Sequence, residues 1–317
     1  MTVGFGDRVA AQVSARCSQL VLGLDPDPGR LWPRALELAE GAGESSFEPA
    51  GAANAPPAAR AAFAMAVHCA LLIDAVGEQC VAVKPQIACF ERLGPPGWAA
   101  LQEVIARAHE QDLLVIADAK RGDIDVTATA YAQAYFGATQ TPYGEVEGLG
   151  ADALTVNPLL GADSLEPLVT EARAHGGGLF ALVRTSNPGA ADVQDQRLAA
   201  EGTVSDALSQ LVARLGEPGI GSSGLSDVGA VIGATAPELL AGLRAQMPAA
   251  IFLLPGVGAQ GGRIEDLAQA FTPGPAAALV SVSRGIAAAH ERTGGDPAKA
   301  AHEEAARLRE QGWNLVS

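Results

Sequence analysis

The chain is poor in aromatic residues, in basic charge, in paired cysteines and in long apolar runs. Aromatics are 4% of its 317 residues, so aliphatic and small side chains must fill the core. Lys and Arg number 21 against 36 Asp and Glu, for a formal net charge of −15. Nucleic acid and anionic membrane are bound through basic surface, so neither is expected as a partner. A small anionic ligand stays compatible, because a few cations reverse the field inside a cleft. The four cysteines, Cys17, Cys69, Cys80 and Cys89, form no Cys-x-x-Cys pair. They read as reduced thiols packed as small hydrophobes rather than as disulfides or a metal site. The histidines are scattered, several on polar helix faces such as His109, His175 and His302, and read as surface residues. No basic segment followed by an apolar one opens the chain, which gives no sign of a signal peptide, and no uninterrupted apolar run is long enough to span a bilayer. A cytoplasmic location is the expectation.

What the chain does contain is a repeated scheme. Short apolar runs fall at 20–25, 80–85, 113–120, 153–157, 179–185, 228–234, 251–254 and 277–283. Between them lie amphipathic helical patterns, among them 58–76, 126–136, 164–174, 205–215 and 237–246, and a last one at 297–311. Strands that are continuously apolar rather than alternating belong to a parallel sheet covered by helices. Eight such units in a chain of this size predict an α/β fold, a closed (β/α)8 TIM barrel forming a single domain over 1–317. The stretch around 41–57, rich in Ala, Gly, Pro and Glu, reads as a mobile excursion after the first strand. No G-x-G-x-x-G follows that strand, so the main signal of a dinucleotide fold is missing.

In such barrels the chemistry collects at the C-terminal ends of the strands. Read in order, those ends offer Asp25, then Lys84, then Asp118, Lys120 and Asp123, then Asn157, then Thr185 and Ser186. The last two strands end in a Gly-rich segment from Pro255 through Gln260 and in Ser283-Arg284-Gly285. Side chains in a strand alternate faces, so Asp118 and Lys120 are expected on one side, with Gly122 allowing a turn before Asp123. Carboxylates around an ammonium are costly to desolvate unless they hold each other, and a surface ion cluster would not usually end a hydrophobic strand. The glycines of 256–262 could serve ordinary turns, but beside Arg284 they suit a phosphate. A phosphorylated small molecule is implied, its reacting end facing Lys84, Asp118 and Lys120.

The pattern Asp118-x-Lys120-x-x-Asp123-Ile124-x-x-Thr127 after an apolar strand resembles the signature of the orotidine 5′-phosphate decarboxylase family. Gly-Leu-Asp25, Val-Lys84-Pro, Thr-Ser186-Asn-Pro-Gly, Pro255-Gly-Val-Gly-Ala-Gln260-Gly-Gly and Ser-Arg284-Gly resemble its other landmarks in order, from about residue 5 to 286. The Asp-Ala-Lys-Arg-Gly-Asp-Ile variant and the long segment after the first strand are similar to the longer bacterial branch. The resemblance implies decarboxylation of orotidine 5′-phosphate to UMP, the last step of de novo pyrimidine synthesis, with neither metal nor cofactor. Lys84, Asp118, Lys120 and Asp123 would form a charge network, with Lys120 the proton donor to C6 and Asp118 against the substrate carboxylate. Asp25, Lys84, Asp123 and Thr127 would reach the ribose hydroxyls, Ser186 the pyrimidine edge, and Gln260 and Arg284 the phosphate, while Ile124 and Pro255 line an apolar pocket. A homodimer is also implied, with Asp123, Ile124 and Thr127 serving the partner subunit's site. Two other readings stay open: a Mg-dependent phosphosugar lyase or epimerase on a related barrel, which would want a carboxylate where Lys84 stands, and a non-catalytic pyrimidine-nucleotide-binding protein, which would be expected to have lost part of the network.

Overall fold

The computed structural model describes residues 3–41, 55–199 and 202–316. Most of the predicted excursion around 41–57 lies outside the described residues. The strands, in chain order, are β1 (Leu20–Leu24), β2 (Ala82–Pro85), β3 (Leu114–Arg121), β4 (Ala138–Thr141), β5 (Gly144–Glu147), β6 (Ala153–Val156), β7 (Gly178–Arg184), β8 (Val228–Ile232), β9 (Phe252–Pro255) and β10 (Ala278–Val282). Eight of them close into a barrel in the order β1-β10-β9-β8-β7-β6-β3-β2, with parallel pairing throughout. These are the eight apolar runs of the sequence. Strands β4 and β5 form a separate antiparallel hairpin that periodicity did not reveal. Most of its residues are exposed, so no hydrophobic alternation marks them.

The barrel strands are buried on both faces, between their own inward-pointing side chains and the surrounding helices. At the N-terminal end of the barrel the helix Phe5–Arg16 supplies Phe5, Val9 and Val13, four residues apart and therefore on one face. These join Leu114, Ala153, Phe180, Ile251 and Leu279 in one buried cluster. The Phe5 and Phe180 rings meet edge to face at 5.9 Å between centroids. One end of the barrel is therefore plugged, and the other carries the loops that follow the strands.

The helix Pro57–Val76 departs from expectation. By length and mean hydropathy, 1.6 over Pro57–Gln79, it could cross a bilayer. Arg60, His68 and Asp74 interrupt the apolar run, which is why a search for uninterrupted runs passes over it. In the structure its Met65, Cys69, Leu72, Ile73 and Val76 belong to the hydrophobic core of the barrel. His68 corrects a second expectation, being 5% exposed rather than superficial. Its Nδ1 accepts the main-chain N–H of Trp32 at 3.1 Å. Burial, with a smaller contribution from nearby His290, depresses its pKa to about 4, so the ring is neutral near pH 7.

Candidate active site

The centre of the site is made by an irregularity in β3. Its register against β6 jumps from Ala117 opposite Leu154 to Arg121 opposite Val156, so extra residues are looped out between them. Within this bulge Lys120 adopts a left-handed backbone, φ 50°. A non-glycine residue there costs on the order of 1–2 kcal/mol, which the surroundings must offset. Two restraints are visible. The main-chain N–H of Lys120 donates to Thr155 Oγ1 on β6 at 3.0 Å. Downstream, the N–H of Asn157 donates to the carbonyl of Arg121 at 2.8 Å, and Gly122 packs so closely that a Cβ would lie 2.8 Å from the carbonyl oxygen of Asn157. Simple strand alternation is thus not what brings Asp118 and Lys120 together. They meet because the bulge turns the Lys120 ammonium back to Asp118 Oδ1, at 2.6 Å.

Asp118 is buried at the C-terminal part of β3 and receives four donors. Lys84 Nζ from β2 lies 2.5 Å from Oδ2, and Gln86 Nε2 donates to the same oxygen at 3.2 Å. On Oδ1, Lys120 Nζ is joined by the Thr155 hydroxyl at 2.9 Å. Burial alone would raise the carboxyl's pKa. The two ammonium groups and their hydrogen bonds outweigh it and bring it to about 2, so Asp118 is ionised. Lys84 shows the same competition, in which burial favours the neutral amine but Asp118 and then Asp25 raise its pKa and keep it cationic. Its side chain is 9% exposed, against 46% for Lys120. The buried ammonium is locked in place, and the half-exposed one is presented to the space above.

That space is a cavity of about 450 Å³, lined by Asp25, Lys84, Asp118, Lys120, Ser186, Pro255, Gln260 and Arg284 among others. Eight of the expected site residues therefore share one cavity. Gln260 follows β9, which stands four strands round the eight-stranded barrel from β3, so the two ends of the predicted ligand site face each other across the mouth. Near Gln260, Gly256 takes φ 102°, a conformation open to glycine, and a Cβ there would come within 2.9 Å of the Gln260 side-chain oxygen.

Asp123, Ile124 and Thr127 do not line the cavity. The Asp123 carboxylate accepts the main-chain N–H of Ile124 at 2.8 Å, and among the described residues no ion pair joins it to Lys120. Within one chain the expected four-residue charge network therefore has three members. Ile124 is 54% exposed and Val126 74%. Asn157 directly follows β6 but does not line the cavity. It is exposed, and its side chain accepts the N–H of Leu159 to start a short turn. Two side chains that donate to Asp118 escaped sequence reasoning, Gln86 and Thr155. The signal for Thr155 was a hydroxyl in an otherwise apolar strand end, Ala-Leu-Thr-Val. Gln86 directly follows Lys84-Pro85. Among the described residues no group of three or more His, Cys, Asp or Glu side chains is arranged to hold a metal ion.

A family model described as "Orotidine 5′-phosphate decarboxylase / HUMPS family" matches residues 58–303. An orotidine 5′-phosphate decarboxylase of Deinococcus radiodurans is 40% identical over 98% of this chain and 97% of the relative. One from Rhodopirellula baltica is 47% identical over 71% of this chain and 73% of its own length. Among solved structures, OMP decarboxylase from Leishmania donovani superposes with a TM-score of 0.69 at 30% identity, covering 99% of this chain and 98% of that one.

Proposed function

The chain belongs to the orotidine 5′-phosphate decarboxylase / HUMPS family, and from that premise we propose that it is a carboxy-lyase converting orotidine 5′-phosphate to UMP, with Lys120 protonating C6. The observation that carries this reading is the ionised Asp118 clamped between Lys84 and Lys120 at the edge of a cavity that Arg284 and Gln260 also line. Breaking the bond between C6 and the carboxylate releases CO2 and leaves an electron pair on C6. A fixed ammonium beside that carbon stabilises the developing charge and then donates its proton to it. In this reading neither a metal nor a cofactor is used. Lys84, standing where a Mg-dependent phosphosugar lyase would want a carboxylate, favours decarboxylation over that alternative.

Arg284 and Gln260 would take the phosphate, Asp25 and Lys84 the ribose hydroxyls, and Ser186 the pyrimidine edge, with Pro255 as apolar wall. Phosphate contacts remote from C6 would help to organise the reacting end. Asp123, Ile124 and Thr127 would complete the site of a partner subunit in a homodimer, a role supported by their position outside their own chain's cavity and by the exposure of Ile124.

The test is direct. Purified protein should convert orotidine 5′-phosphate to UMP, followed by loss of the orotate chromophore, with the same rate in EDTA. Abolition by the chelator, or no turnover, would sink the proposal. The dimer is tested by sedimentation together with Asp123→Asn. A monomeric but fully active protein would exclude the shared site.

A further inference from the structure

We infer that Thr155 is the positioning residue for Lys120: its hydroxyl ties the Lys120 main chain to the Asp118 carboxylate and holds the bulge that aims the ammonium into the cavity. This deepens the decarboxylase reading and rests on it. Thr155 is 2% exposed, between Leu154 and Val156, which are both wholly buried. A threonine hydroxyl has one proton to give and lone pairs to accept with. The Lys120 N–H at 3.0 Å can only donate, so Thr155 Oγ1 accepts there. Asp118 Oδ1 at 2.9 Å belongs to an ionised carboxylate and can only accept, so the hydroxyl proton points to it. Both hydrogen bonds have one permitted direction, and the hydroxyl has no rotational choice left.

The link sits where the main-chain ladder fails. Between the pairs Ala117–Leu154 and Arg121–Val156 the regular β3–β6 bonding is interrupted, and the side chain of Thr155 takes over as acceptor. The same oxygen therefore restrains the left-handed residue and orients the carboxylate that holds that residue's ammonium. The Gln86 side chain reaches only Oδ2, and its main chain bridges Asp118 from the β2 side, so neither contact reaches the main chain of Lys120. Without the hydroxyl, Lys120 would keep its charge and its attraction to Asp118 but lose the fixed backbone from which it reaches C6. Substrate binding would change little, because Asp25, Lys84, Ser186, Gln260 and Arg284 are untouched.

The experiment compares wild type, Thr155→Val and Thr155→Ser in steady-state decarboxylation and in exchange of the UMP C6 hydrogen for solvent deuterium. Wild-type turnover must come first, since its absence would overturn the decarboxylase reading itself. With an active wild type, Thr155→Val is expected to lower kcat by about 10- to 100-fold, the effect of small misplacement, with KM within about threefold. Hydrogen exchange should slow in parallel, and Thr155→Ser should restore kcat to within about threefold of wild type. A Thr155→Val kcat near that of wild type, a loss carried by KM, or no rescue by serine would overturn the inference. If Thr155→Val fails to fold, as judged by calorimetry, Thr155→Ala is judged by the same split between kcat and KM.

Discussion

Two buried carboxylates stand at opposite ends of the same pair of strands. Asp118 lies toward the C-terminal end of β3, and Asp152 immediately precedes β6; each is 7% exposed and each has a depressed pKa. Asp152 is held by Arg8 of the plugging helix, by His109 Nε2 at 3.2 Å and by the main-chain N–H of Val115 at 2.8 Å. Its partners belong to a helix across the barrel end, a flanking helix and a neighbouring strand, and together they fasten that end shut. Asp118 instead gathers two ammonium groups, an amide and a hydroxyl at the edge of a cavity, and leaves one ammonium 46% exposed. Burial and a shifted pKa are common to both, so neither marks the functional site. Exposure of the cation does not distinguish them either, since Arg8 is 31% exposed; the distinguishing feature is a cation held by the carboxylate in the lining of the cavity.

The largest expected effect follows from that feature. Lys120→Ala should lower turnover by about 10³-fold or more, the loss of an aimed electrostatic group at the reacting atom. The melting temperature and UMP affinity should change little, since Lys84 still neutralises Asp118. Calorimetry, titration with UMP and a turnover assay read the three quantities, and near-normal activity would remove Lys120 from the chemistry. Asp152→Ala is the converse. It leaves the buried N–H of Val115 without its acceptor and Arg8 with only the Gly176 carbonyl, and should cost about 2–3 kcal/mol in urea unfolding, with kcat unchanged in the folded fraction. A large fall in kcat would mean that the two ends of the barrel are coupled.

His68 supplies a third kind of buried titratable group, neutral and hydrogen-bonded to main chain. Its folded pKa, about 4, lies below its ordinary 6.5, so between those values the unfolded chain binds the proton that the folded chain refuses. Stability must therefore fall as pH drops from 6.5 to 4, by on the order of 3 kcal/mol from this residue. Asp118 acts in a lower window. Its contribution is complete above the ordinary carboxylate pKa and is lost as pH approaches about 2. Urea midpoints of wild type and His68→Asn from pH 7 to 4 separate the two, and an unchanged slope in the variant would show that His68 is not the group titrating.

Much of this comparison was legible from residue order. The eight barrel strands were found because continuous apolar runs have no other economical home, and Lys84, Asp118, Lys120, Ser186, Gln260 and Arg284, singled out because they end or closely follow those runs, line one cavity. The bulge was not legible. Alternation predicted contact between Asp118 and Lys120, but the contact runs through a left-handed backbone that no periodicity encodes. Thr155 and Gln86 were missed for a related reason, since neither has a charge and their roles exist only once neighbouring strands are in register. The hairpin β4–β5 was missed because its side chains face water, and His68 was misplaced because a histidine on a helix does not announce which side is covered.

Asp206 offers the smallest and most discriminating test of what separates the two barrel ends. Like Asp118 and Asp152 it has a lowered pKa, but here the first cause is a hydrogen bond from Gln246, followed by opposing desolvation and then by Thr203. No cation pairs with it among the described residues. Its Oδ2 accepts the N–H and the hydroxyl of Thr203 at 2.7 and 2.8 Å, closing a reciprocal cap on the helix Val204–Gly216. Thr203→Ala should therefore cost about 1 kcal/mol, the ordinary value of a helix cap, and leave kcat unchanged. Asp206→Ala should cost a similar amount, lost in wild type only as pH falls below the carboxylate range. If in urea unfolding it cost as much as Asp152→Ala, neutral donors would stabilise a carboxylate as well as a half-buried arginine does. The distinction drawn between Asp118, Asp152 and an ordinary capping residue would then have to rest on the cavity alone.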